Sequence, residues 1–64
     1  LPPMQYVDTI PTTALNLNDV IVEGPKHTAV TKIHHNPPGC PGHVHINGST
    51  CYDHVAHVNV LRTM

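Results

Sequence analysis

The chain has no phenylalanine or tryptophan and only two tyrosines, Tyr6 and Tyr52. Its core must therefore be aliphatic. It also has few charges: Lys26, Lys32 and Arg62 stand against Asp8, Asp19, Glu23 and Asp53, for a formal net charge of −1. No basic stripe is available for a phosphate backbone, so nucleic-acid binding is disfavoured. No apolar run approaches the roughly 20 residues that span a bilayer, so no membrane span is expected. Two cysteines, Cys40 and Cys51, are too few for a disulfide framework. With no export signal visible, the expected compartment is the reducing cytoplasm. Prolines at 11, 25, 37, 38 and 41 leave no stretch for a long helix.

What is present points to strands. Eight valines, four isoleucines and seven threonines make the chain rich in β-branched side chains, which fit a pleated surface. Sixty-four residues allow one small domain, expected over 4–64. Leu1-Pro2-Pro3 reads as a non-native leader, with Met4 the natural start. A chain of this size buries only about 60% of the surface it exposes unfolded, so the core is thin. Seven histidines make its charge pH-sensitive, because free imidazole titrates near about 6.5.

Along the chain, Met4 to Ile10 reads as a short strand or extended arm stopped by Pro11. Thr12 to Ala14 and Leu15 form one helical turn with a threonine cap. Val20-Ile21-Val22 is a strand ended by the Glu23-Gly24-Pro25 turn signal. His27 to His35 is the next strand, but Val30 and Ile33 cannot face one side under strict alternation. A bulge or bend between them repairs this, as in small barrels that wrap one strand across two sheets. Asn36 to Gly42 is a loop given shape by its prolines and glycines. His43 to Ile46 and Ser49 to Tyr52 flank Asn47-Gly48, a preferred pair for a two-residue type I′ turn. Val55 to Leu61 closes the chain, with Ala56, Val58 and Val60 on one face. The expected fold is all-β: a small five-stranded antiparallel barrel with a short N-terminal arm.

Leu17-Asn18-Asp19-Val20-Ile21-Val22-Glu23-Gly24 resembles the opening of small SH3-like barrels, including KOW-type modules, with Asn18 where those carry glycine. Together with Thr31-Lys32-Ile33, His43 to Asn47 and Cys51-Tyr52-Asp53, it is also similar to small uncharacterised proteins of actinobacterial phages. The resemblance covers roughly residues 15–62. It implies an SH3-like barrel and no known activity.

Residues 40–57 hold both cysteines and four histidines, and two readings compete for them. Thiolate and imidazole are zinc's usual ligands, so Cys40, His43, Cys51 and His54 form one candidate set. A two-residue turn at Asn47-Gly48 argues otherwise. It pairs Val44 with Cys51 and His43 with Tyr52, placing Cys51 among the aliphatics and His43, His45 and Tyr52 outward. That register also holds Cys40 away from Cys51, against a disulfide. The Asn47-Gly48-Ser49 glycosylation pattern is explained by the turn.

The function expected from the sequence is a non-catalytic interaction module, plausibly phage-encoded and directed at a host protein, with no cofactor. Its surface would be His34, His35, Pro37 and Pro38 of the loop region together with His43, His45 and Tyr52. Exposed strand edges also offer homodimerisation. A zinc-binding domain is the alternative. No nucleophile accompanies Asp53 and its neighbouring histidines, and so small a barrel has little room for a catalytic pocket.

Overall fold

In the computed structural model, which describes residues 3–64, Val20, Ile21 and Val22 form a strand for the reason the β-branched pattern gives. The described residues form seven strands: β1 (Gln5–Pro11), β2 (Val20–Glu23), β3 (Lys26–Ala29), β4 (Ile33–His35), β5 (His43–Ile46), β6 (Thr50–Asp53) and β7 (His57–Thr63). They make two antiparallel sheets, ordered β1-β7-β2-β3 and β4-β5-β6. No ladder joins the two sheets among the described residues, so the five-stranded closed barrel is replaced by two packed open sheets. Of the expected leader, Leu1 and Pro2 lie outside the described residues.

Of the two readings of the N-terminal segment, the strand is the one present. All seven residues of β1 pair with β7, from Gln5 opposite Thr63 to Pro11 opposite His57. Pro11 ends the edge strand, where its missing N–H costs no ladder bond. The following turn, Thr12–Ala14, is a 3₁₀ turn without a side-chain cap. Thr12 serves the core instead. Fully buried, it donates its backbone N–H to the Ala56 carbonyl at 3.0 Å and its hydroxyl to the Asp53 carbonyl at 2.9 Å. Gly24 and Pro25 connect β2 to β3 by a two-residue turn, with Gly24 at φ +59° as a tight hairpin requires.

The bend foreseen between Val30 and Ile33 is present. It splits one extended stretch into β3, in the first sheet, and β4, in the second. Val30 is fully buried at the break. The core lies between the two inner faces: Ile10, Ile21, Val58 and Val60 from one sheet, Val44 and Ile46 from the other, and Leu15 and Val30 from the connections. Each such aliphatic contributes about 1.5–3 kcal/mol when fully buried. At the rim, Arg62 donates to the Asp19 carboxylate at 2.7 Å, and the Asn16 N–H reaches its second oxygen at 2.9 Å. The nearly buried Asp19 is thereby paired rather than left isolated.

The bend is held by Asn47. Its side-chain oxygen accepts from the Thr31 N–H (2.8 Å), the Thr31 hydroxyl (3.0 Å) and the Lys32 N–H (3.2 Å). Its amide donates to the Ala29 carbonyl at 2.9 Å, and its backbone N–H to the Lys32 carbonyl at 2.9 Å. Asn47 and Gly48 both adopt positive φ (56° and 76°), as expected for the Asn-Gly pair. The loop nonetheless contains three residues, because Ser49 is added before β6 begins. Ile46 pairs with Thr50, His45 with Cys51, Val44 with Tyr52 and His43 with Asp53. Relative to a two-residue turn, β6 is displaced by one position, and a one-residue slip moves every side chain of a strand to the opposite face.

Asn47→Ala removes four side-chain hydrogen bonds and puts alanine in a left-handed conformation. It is expected to destabilise the domain by about 1–3 kcal/mol. Asn47→Gly, which keeps the backbone conformation, should lose less. Urea unfolding of the two variants against wild type measures the difference, and equal midpoints for all three would contradict this role.

Candidate metal centre

Strand alternation fixes what the second sheet turns outward. Ile33, Val44 and Ile46 face the core, so His34, His43 and His45 face away from it. The shifted register puts Tyr52 on the core side and Cys51 and Asp53 outside. Both expectations for β6 are corrected. Cys51 is exposed rather than buried, and Tyr52 is half-buried against the core, its hydroxyl donating to Glu23 at 3.2 Å. Desolvation, then the Glu23 charge and this hydrogen bond, pushes the Tyr52 phenol above its ordinary range.

His45 and Cys51 are direct cross-strand partners. The His54 N–H donates to the Gly42 carbonyl at 3.0 Å. Counting along the ladder from that bond, the His45–Cys51 pair falls at a non-hydrogen-bonded position, where facing side chains approach most closely. His34 is the partner of His45 on the other side. A row His34–His45–Cys51 thus crosses the outer face of the sheet.

Cys40 arrives from the loop above this row. In Pro37-Pro38-Gly39-Cys40, the Cys40 N–H donates to the Pro37 carbonyl at 3.0 Å, and Gly39 has φ +84°. Proline second and a positive-φ glycine third are the marks of a type II turn. The loop base is closed by the Asn36 N–H to the His43 carbonyl (2.9 Å) and the Gly42 N–H to the Asn36 side-chain oxygen (2.9 Å). His54 adds a further tie, with Nδ1 2.6 Å from the Gly42 carbonyl. Carbonyls only accept, so that nitrogen carries the proton. The loop is therefore shaped, as its composition suggested, and it carries Cys40 back over the sheet.

Ligand atoms of Cys40, His45 and Cys51 lie within 4.8 Å of one another. Around a tetrahedral zinc ion, neighbouring sulfur and nitrogen ligands sit about 3.5–3.8 Å apart, so modest side-chain adjustment closes the group. Both thiols are free. The Cys51 thiol is pushed above its ordinary range by desolvation first, then by the neighbouring Cys40 and by Asp53. A divalent cation bound beside Cys51 would reverse that effect, since its charge favours the thiolate. These three residues can hold a metal.

The sequence-derived set contained two of the three. Cys40 and Cys51 do come together, whereas His43 and His54 do not join them. The Nδ1 of His43 lies 3.0 Å from the Pro41 carbonyl, and His54 is held on the Gly42 carbonyl. His45 takes the imidazole position, a role its pairing with Cys51 would have revealed had Ser49 been counted into the turn. Of the other proposed surface residues, His34, His35 and Pro38 are exposed and Pro37 is buried. His57, exposed on β7, belongs to the other sheet. No helix among the described residues is long and apolar enough to cross a membrane. No family model matches this chain, and no curated protein or solved structure does either.

The proximity of the sulfurs is testable without metal. Mild thiol oxidation by diamide should link Cys40 to Cys51 within one chain, with loss of two hydrogens by intact mass and no covalent dimer. Bridging requires Cα atoms within roughly 7 Å. Persistence of both thiols as free, or linkage only between chains, would restore the buried position for Cys51.

Proposed function

We propose that this chain is a small, non-catalytic all-β module that binds one thiophilic divalent ion, best matched by zinc, through Cys40, His45 and Cys51. The observation that carries the reading is the convergence of these donors from three separate segments, the Pro-Gly loop, β5 and β6. Two thiolates and an imidazole suit zinc over magnesium or calcium, which prefer oxygen ligands. Here the ion ties loop to sheet. In a chain with so thin a core that tie is folding free energy, because the unfolded chain holds no such site.

A second reading is the interaction module, directed at a protein of the host cell if the chain is phage-encoded. What favours it is the fixed shape of the 36–42 loop, with Pro38 exposed at its tip. A loop already held in place loses less entropy when it docks. The two readings are compatible, since a metal clamp at Cys40 would hold that loop further. The likeness to SH3-like barrels belongs with this second reading, supported by the bend that passes one stretch from sheet to sheet.

Protein purified without a metal-affinity step should bind one zinc ion per chain by native mass spectrometry and survive dialysis. Cys40→Ser, His45→Ala and Cys51→Ser should each weaken binding by more than about tenfold, the lower bound for losing even an indirect contributor. Zinc at a hundred times its Kd adds about 2.7 kcal/mol of stability. For a domain of this size that raises Tm on the order of 10–20 °C, reversed by a chelator. Absence of stoichiometric zinc would remove the metal reading and leave the interaction module.

A further inference from the structure

Three protein ligands leave a tetrahedral ion one position short. An open fourth position is the signature of a catalytic zinc, whereas four protein ligands make a closed, structural one. Which applies here depends on what else the outer face of the β4-β5-β6 sheet can offer.

Three further donors lie on that face. His43 is two residues from His45 along β5, with Nδ1 engaged by the Pro41 carbonyl at 3.0 Å. Asp53 faces His43 across the ladder, and one of its oxygens accepts the Val55 N–H at 3.0 Å while lying 3.5 Å from His54. Both are one ladder step away from the His45–Cys51 pair and committed to local bonds. His34 differs on both counts. It stands directly opposite His45, on the side away from Cys51, and its exposed ring makes no side-chain hydrogen bond among the described residues. Directly opposed residues on one face of a sheet have Cβ atoms about 4.5–5.5 Å apart, so two imidazoles at such positions can reach one ion.

Resting on the metal reading above, we propose that His34 is the fourth ligand, completing a closed Cys2His2 site with Cys40, His45 and Cys51. Its ring nitrogens lie outside the 4.8 Å group the other three form. His34 is exposed, and a histidine changes its reach by moving χ1 between staggered wells and χ2 over its broad range. The site then draws on β4, β5, β6 and the loop between β4 and β5. An ion there would staple every segment of the second sheet, and no coordination position would remain for a substrate or an activated water.

Cobalt(II) reports both ligand number and ligand type, so the experiment is titration of the full chain with cobalt and then zinc. Wild type should give intense tetrahedral d–d bands with thiolate charge transfer. His34→Ala should lose more than about a hundredfold in zinc affinity, beyond what an outer-shell partner costs, and its cobalt bands should shift as water enters. His34→Cys should bind tightly again, with charge transfer rising from that of two thiolates to that of three. His35→Ala, next in sequence but on the opposite side of the strand, should behave as wild type. If His34→Ala leaves affinity and cobalt spectrum unchanged, or His34→Cys gains no charge transfer, His34 is not a ligand, while the Cys40–His45–Cys51 reading stands. If wild type binds neither ion stoichiometrically, both fall.

Discussion

A single carboxamide occupies the junction on which this fold turns. The side chain of Asn47 bonds to Ala29, Thr31 and Lys32, the residues at which the chain leaves one sheet for the other. The backbone of Asn47 is at the same time the first residue of the β5–β6 loop. One residue therefore sets the crossing between sheets and the start of the reversal that aligns β6. Four bonds from one side chain fix this junction at the ordering cost of a single residue. The inner positions of both sheets, and the outward placement of Cys51, follow from where this residue is held.

From that alignment the candidate centre assembles with little further construction. Pairing supplies His45 and Cys51, and a proline-glycine turn supplies Cys40. The sheet that carries them is short: three strands of three or four residues, with only Val44 and Ile46 deeply buried. A sheet of that size has little apolar area with which to hold itself together. The other sheet owns the long β1–β7 ladder and four of the eight buried aliphatics, Ile10, Ile21, Val58 and Val60. The candidate metal centre thus lies on the half of the molecule where hydrophobic burial is weakest, which is where a cross-link would contribute most.

Much of this was legible beforehand. The excess of β-branched residues gave the all-β class, Gly24-Pro25 marked a turn, and the spacing of Val30 and Ile33 required a bend. The alternation of Val58 and Val60 placed the last strand's inner side. Pro11 marks the end of the first segment, which local pattern leaves as strand or arm; it is a strand because β7, far along the chain, pairs with it. The proposed barrel and its five strands failed for a related reason: whether sheets close depends on long-range pairing that no short pattern encodes. Asn47-Gly48 correctly announced two positive-φ residues. What it did not announce was that Ser49 belongs to the loop. Counting two residues in the turn puts Cys51 in the core and Tyr52 on the surface, whereas His43 is suggested by its spacing after Cys40, and spacing along the chain does not disclose that His45 is the residue opposite Cys51.

The same loop bears on how such a chain can diverge. Were Ser49 absent, β6 would rotate by one position, Cys51 would turn toward Val44 and Ile46, and the sulfur would become one more small apolar group. The backbone ladder would be nearly unchanged, with Tyr52 giving up its place against the core to Cys51. A form that gathers Cys40, His45 and Cys51 and a form that does not therefore lie one codon apart, and a deletion or insertion at the hairpin tip accomplishes what would otherwise take several coordinated replacements.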